Sequence, residues 1–168
     1  LDLLSDVLPY MPRIGGLFTI ETHYVQMESS LQLSADSNID QFSYEGRLVG
    51  DTGLGATCLP AEDNRHFLNA YMLANDQEVI MADGELQATN NQQRIDLNTM
   101  VDHFPLPMLN AFVPDEMITL TGSLIGDVAV GGTLDKPQVE GELTLDSVTL
   151  FARQAGARYR FDNRSVKI

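Results

Sequence analysis

Between Ile118 and Leu134 six large apolar side chains fall on even positions, Ile118, Leu120, Leu124, Val128, Val130 and Leu134, with Ile125 alone out of phase. The odd positions between them carry Thr119, Thr121, Ser123, Asp127 and Thr133. A period of two is the mark of a β-strand with one apolar face, because successive side chains point to opposite sides. Glycines 122, 126 and 132 share the apolar phase and mark bends or a turn within the run, since seventeen residues in one phase exceed an ordinary strand of about five or six. Alternation resumes after the turn chemistry of Asp135-Lys136-Pro137, with Val139, Leu143 and Leu145, then Val148, Leu150 and Ala152, then Tyr159, Phe161, Val166 and Ile168. Upstream, strands are predicted at 17–27, 31–35, 42–49, 54–59, 66–74, 78–88 and 93–101, with loops at 35–38 and 88–92.

Helical spacing occurs twice. Leu1, Leu4, Val7 and Leu8 predict a short helix over residues 1–12, stopped by Pro9 and Pro12. A second short helix is predicted over 102–114, around Leu106, Met108 and Leu109, with Pro105 and Pro107 tolerated only in its first turn. The endings Tyr10-Met11-Pro12 and Phe112-Val113-Pro114 share an aromatic–aliphatic–proline order. The organisation expected is helix 1–12, strands 17–101, helix 102–114 and strands 117–168, one all-β, antiparallel unit spanning residues 1–168.

A repeat lies inside this pattern. Gly46-Arg-Leu48-Val-Gly50-Asp51-Thr-Gly-Leu54-Gly55-Ala-Thr57 and Gly122-Ser-Leu124-Ile-Gly126-Asp127-Val-Ala-Val130-Gly131-Gly-Thr133 are identical at six of twelve positions. Glycines on this beat predict a repeated strand unit, which buries its apolar side only against neighbours. The expected working part is therefore an extended β surface, not a pocket.

Composition narrows the function classes. Twenty-four acidic side chains against ten basic give a net charge of −14, so nucleic acid is not an expected partner. Half of the positive charges, Arg153, Arg158, Arg160, Arg164 and Lys167, are gathered at one end with a single acid, Asp162. They fit either a charged sheet edge that discourages pairing or a contact with acidic lipid headgroups or a neighbouring segment. Cys58 has no partner for a disulfide and fits a small buried apolar position. The histidines His23, His66 and His103 lack metal-ligand spacing, no G-x-S-x-G elbow is present, and Asp51 and Asp127 fit turns or bulges better than calcium ligands. No catalytic residue, metal site or cofactor is expected. No apolar run approaches a membrane span, and the opening on Leu1 fits a piece of a longer protein.

The segment from Leu120 to Leu145, with its order G-x-L-x-G, alternation, then G-T-L-x-x-P-x-V-x-G-x-L-x-L, resembles the C-terminal region of the TamB family, AsmA-like bridge proteins of the bacterial envelope. Phe104 to Pro114 is similar to the short helix that precedes that unit, and the likeness spans residues 100–168 with an echo at 42–60. The resemblance implies a β-taco, a long antiparallel sheet folded into a U-shaped trough with an apolar concave side. It implies a periplasmic segment of a protein anchored in the inner membrane, conducting phospholipid acyl chains between the two membranes. It also implies work with a TamA-like outer-membrane barrel in envelope protein assembly, and no catalysis.

On these grounds the expected trough lining is Leu48, Leu54, Ile118, Leu120, Leu124, Val128, Val130, Leu134, Val139, Leu143 and Leu145. A single-layer sheet has to cover its apolar side with helix, a second sheet or lipid, and two short helices are too few. A closed sandwich or barrel fits the same alternation. The rival function is an envelope adhesion or carbohydrate-binding sandwich, against which stands the absence of Trp. Strand edges near 17–27 and 159–168 are expected to associate weakly with a second copy.

Overall fold

The computed structural model describes residues 12–27, 30–89, 92–114 and 117–168. Ten strands form one antiparallel sheet: β1 (Ile14–Met27), β2 (Ser30–Tyr44), β3 (Arg47–Pro60), β4 (Arg65–Ala74), β5 (Gln77–Thr89), β6 (Gln92–Pro105), β7 (Ile118–Thr133), β8 (Lys136–Ala152), β9 (Ala157–Phe161) and β10 (Arg164–Lys167). Each strand from β1 to β8 pairs with the next, and β9 and β10 share the far side of β8, opposite its two halves. The sheet is not closed: β1 lies at one edge and β9 with β10 at the other. One 3₁₀ helix, η1 (Leu106–Phe112), joins β6 to β7.

Several boundaries differ from those the sequence predicts. Residues 35–38 are not a loop but the middle of β2, and the chain turns at Glu45 and Gly46 instead, both with positive φ (50° and 76°). That left-handed pair closes a tight hairpin, as do Asn75 and Asp76 (51° and 64°) between β4 and β5. The second predicted helix is shorter than 102–114 and of 3₁₀ type. Residues before a proline are driven to extended backbone, so Phe104 and Pro105 stay in β6, paired with Leu124 and Ser123. No side chain caps the helix, whose end at Pro105 has φ −76° and ψ 110°. β7 runs unbroken for 16 residues, so its glycines mark bends and not a turn. Residues 1–11 of the helix expected at 1–12 lie outside the described residues, as do 90 and 91 of the loop expected at 88–92, whose Ala88, Thr89 and Gln92 belong to β5 and β6.

Bulges form a band across one side of the sheet. Register shifts occur at Gly15/Leu17 in β1, at Ile39/Phe42 in β2 and at Met72/Leu73 between β4 and β5. Others fall at Val101/Phe104 in β6 and at Thr121/Ser123 against Ser147 of β8. Gln41, His103 and Ser147 take positive φ there (52°, 49° and 52°). An extra residue bends a strand and strengthens its twist. η1 covers this band. Its Leu106, Met108 and Ala111 are buried, and Met108 packs with Ala74 and Val79, flanked by Val49, Met72, Ile80 and Phe104.

The molecule is thinly packed. Its accessible surface is 11,492 Å², against about 8,200 Å² for a compact monomer of 18.5 kDa. No described side chain is less than 2% exposed. Backbone ladders, rather than a deep core, hold most of the sheet together.

Candidate functional site: an uncovered apolar face

Directly paired residues of an antiparallel ladder share a face, so the registers show what each face carries. One row of partners crosses the sheet from β1 to β10: Ile20, Ser37, Leu54, Met72, Ile80, Val101, Gly126, Leu143 and Val166. Four residues further along β1, on the same face, runs Tyr24, Leu33, Cys58, Leu68, Gly84, Leu97, Val130 and Val139. Between them lies a row of smaller side chains: Thr22, Ala35, Ala56, Ala70, Ala82, Thr99, Val128 and Gly141. The opposite face reads Glu21, Asp36, Gly55, Tyr71, Met81, Met100, Asp127, Glu142 and Lys167 along one row. One side of the sheet is predominantly apolar across its width, and the other mixes acidic side chains with Tyr71, Met81, Met100, Leu59 and Phe67.

Among the described residues only η1 packs on the apolar face, and only at its bulged side. Away from it, Ile20 is 55% exposed, Leu54 50% and Val166 49%. Two hydrogen-bonded ties hold η1 down. The side chain of Asn110 donates to the Leu120 carbonyl at 2.8 Å and accepts from the Leu120 N–H at 2.7 Å. Arg47 of β3 donates to the carbonyls of Asn110, at 2.6 Å, and of Val113. Phe112 completes the attachment against the rings of Tyr44 and Phe42, at centroid distances of 4.9 and 6.5 Å. Seven residues thus link β7 to β3 and β2, strands that a flat sheet holds about 19 to 24 Å apart.

Most of the residues singled out from the sequence meet on this face. Val130 stands between Leu97 and Val139, Val128 faces Gly141, and Leu124 lies between Phe104 and Leu145. Leu120 faces Leu150, Ile118 faces Ala152, and Leu143 and Leu54 share the first row. Leu134 sits in the turn after β7 and is 47% exposed. Leu48 is opposite Ser43 and 69% exposed, because the irregular ladder at Gly50 (φ 125°) turns its neighbour Val49 toward Met108 instead. The repeated glycine motif falls in β3 and β7 with Asp51 and Asp127 both on the polar side, as a shared strand pattern requires.

The polar face has its own buttress, which the sequence does not announce. Tyr71 lies over Gly55, where any Cβ would meet its ring, and its hydroxyl donates to Asp36 Oδ1 at 2.7 Å. That bond, with desolvation and the negative charges of Asp36 and Glu78, pushes the phenol above its usual pKa of 10.0. The histidines do not converge. His23 is on the polar face, His66 on the apolar one with its Nδ1 unpartnered, and His103 sits in the β6 bulge, 2.6 Å from Asp102 and 4.0 Å from Asp146. Among the described residues no three His, Cys, Asp or Glu side chains form a metal-binding group, and no helix is long and apolar enough to cross a membrane.

Compared with family models, curated proteins and solved structures, the chain gives no match.

Proposed function

We propose that this chain is a segment of a TamB-like, AsmA-like lipid-conducting scaffold, in which the apolar face is a trough that carries phospholipid acyl chains. The observation that carries the proposal is the face itself: apolar rows spanning every strand, with η1 as its sole described cover. Such a surface is unstable in water and calls for an apolar occupant. Edge to edge the nine strands on the main path extend about 38 Å at the usual strand spacing.

Three features favour a sheet folded around that occupant. The row of Ala, Thr, Val and Gly lies between rows of larger aliphatics, where small side chains let each strand bend toward the apolar side. Cα atoms of β4 approach those of β6 within 8 Å, and those of β6 approach β8, where a flat sheet keeps alternate strands about 9.5 Å apart. At the intervening strands a Cβ on Gly84 would collide with the Asp96 carbonyl, and one on Gly126 with the Glu142 carbonyl. In the whole protein the segment works in the periplasm, within a chain anchored in the inner membrane and partnered with a TamA-like barrel, and turns over no substrate.

Purification without detergent followed by lipid extraction and mass spectrometry tests the proposal. Stoichiometric phospholipid is expected. Protein that stays folded and monodisperse while free of lipid overturns it.

A further inference from the structure

The apolar face carries only two charged side chains at its paired positions. Arg47, opposite Tyr44, is engaged by the carbonyls of η1. Arg164, opposite Leu145, is exposed at the outer edge and makes no ion pair among the described residues. Its surroundings on that face are apolar or aromatic: Leu143, Leu145, Tyr159, Phe161 and Val166. On the same broken edge strand Arg160 and Lys167 are exposed on the opposite face; among the described residues neither makes an ion pair, although Lys167 stands opposite Glu142. Residues 153–168 hold five cations against Asp162, a local +4, which leaves −18 on the first 152 residues of a chain of net charge −14.

We infer that this edge is a receptor for the phosphate of an anionic phospholipid. Arg164 grips the headgroup at the end of the apolar face, Arg160 and Lys167 add field from the same edge, and the acyl chains lie along Leu143, Leu145 and Val166. The inference rests on the lipid-bearing role proposed above and adds the headgroup class and its place. The physical reasons are two. An arginine fork binds phosphate oxygens in paired hydrogen bonds, and its stem packs on apolar neighbours. Among the described residues the rest of the face lies against an acidic surface that repels an anionic headgroup, and its other cation, Arg47, is taken up by η1, so this end is the attractive one. An acidic peptide strand fits the edge less well. β9 and β10 are only 5 and 4 residues long and are interrupted at Asp162 and Asn163, the latter with φ 51°, which breaks the ladder a docking strand needs.

The test uses the whole chain with fluorescent phosphatidylglycerol and phosphatidylcholine of identical acyl chains. Phosphatidylglycerol is expected to bind about tenfold more tightly at low salt, with the preference fading as salt rises. Arg164→Gln should remove most of that preference, weakening phosphatidylglycerol by a larger factor than phosphatidylcholine, whose choline cation already offsets its phosphate, and Arg164→Lys should restore much of it. Arg160→Gln with Lys167→Gln, placed on the exposed edge, should reduce it by a smaller factor. Equal binding of both lipids by the unaltered chain overturns the headgroup inference while leaving the trough standing, whereas binding of neither removes the trough itself. Arg164→Gln weakening both lipids alike would make Arg164 structural. Displacement of phosphatidylglycerol by millimolar glycerol 3-phosphate would make the edge a free-phosphate site. A change in peptide binding or self-association with lipid preference intact would make it a strand-docking edge. Each of these three results overturns the inference.

Discussion

Val130→Asp places a carboxylate in the middle of the apolar face, between Leu97 and Val139, and its cost separates an open face from a closed core. Val130 is half-buried and Val139 is 44% exposed. Full burial of a valine contributes about 1.5–2 kcal/mol, so half of that, roughly 1 kcal/mol, is at stake. The poorer strand preference of Asp adds up to about 1 kcal/mol. The new charge remains in contact with water and has no anion beside it on that face, so the total is about 1–2 kcal/mol. Met108→Ala provides the internal comparison. Met108 is 5% exposed under η1, and truncating a buried methionine costs about 2–5 kcal/mol. Urea unfolding of the two variants is expected to rank Met108→Ala as the more damaging, with Val130→Asp losing most of its bound lipid. A loss above about 4 kcal/mol for Val130→Asp, or a cost exceeding that of Met108→Ala, would mean that the face is sealed by protein and would refute the reasoning.

Three further perturbations follow from other contacts. Asn110→Ala removes both bonds to Leu120 and should cost about 1–3 kcal/mol, with faster amide hydrogen exchange at Leu120; unchanged exchange would show that η1 is held by packing alone. Tyr71 titrates higher in the folded chain than its unfolded value of 10.0, so its contribution is complete below that pH and is lost as pH rises through the folded value. Tyr71→Phe should therefore flatten the alkaline fall in stability, and an identical fall in the variant would deny the Asp36 bond any role. Finally, the 14-residue β1 has no strand on its outer side among the described residues and exposes Phe18 and Ile20, whereas the other edge is short and cationic. Weak self-association seen by sedimentation should disappear in Ile20→Lys and persist in Arg160→Gln.

How much of this was legible in the sequence depended on how local the signal is. β7 was readable because its even phase runs from Ile118 to Val130 with Ile125 alone out of phase, and the pairing partners of β6 and β8 follow the same face. The bulge at Ser147 was not read from the sequence, although the apolar phase of β8 switches from Val139, Leu143 and Leu145 to Leu150 and Ala152 across it. β2 was misjudged because Asp36, Ser37 and Asn38 have turn composition, yet Asp36 and Asn38 simply face the polar side and Ser37 the other. The left-handed turn moved to Glu45–Gly46, where glycine removes the steric penalty. The ties of Arg47 to η1 and of Tyr71 to Asp36 join residues 63 and 35 positions apart. No spacing rule reaches that far. Leu48 was placed with the lining by its repeat position, but the ladder irregularity at Gly50 gives that place to Val49.

Photo-crosslinking along β7 tests the trough most directly. A photoreactive side chain is introduced singly at Val128 and Val130 on the apolar face, and at Asp127 and Ala129 on the polar one, and phospholipid adducts are quantified after irradiation in cells. Adducts are expected at Val128 and Val130 and not at their immediate neighbours, repeating the two-residue period of the strand. Equal labelling of both faces, or adducts confined to Asp127 and Ala129, would contradict an apolar face that carries lipid.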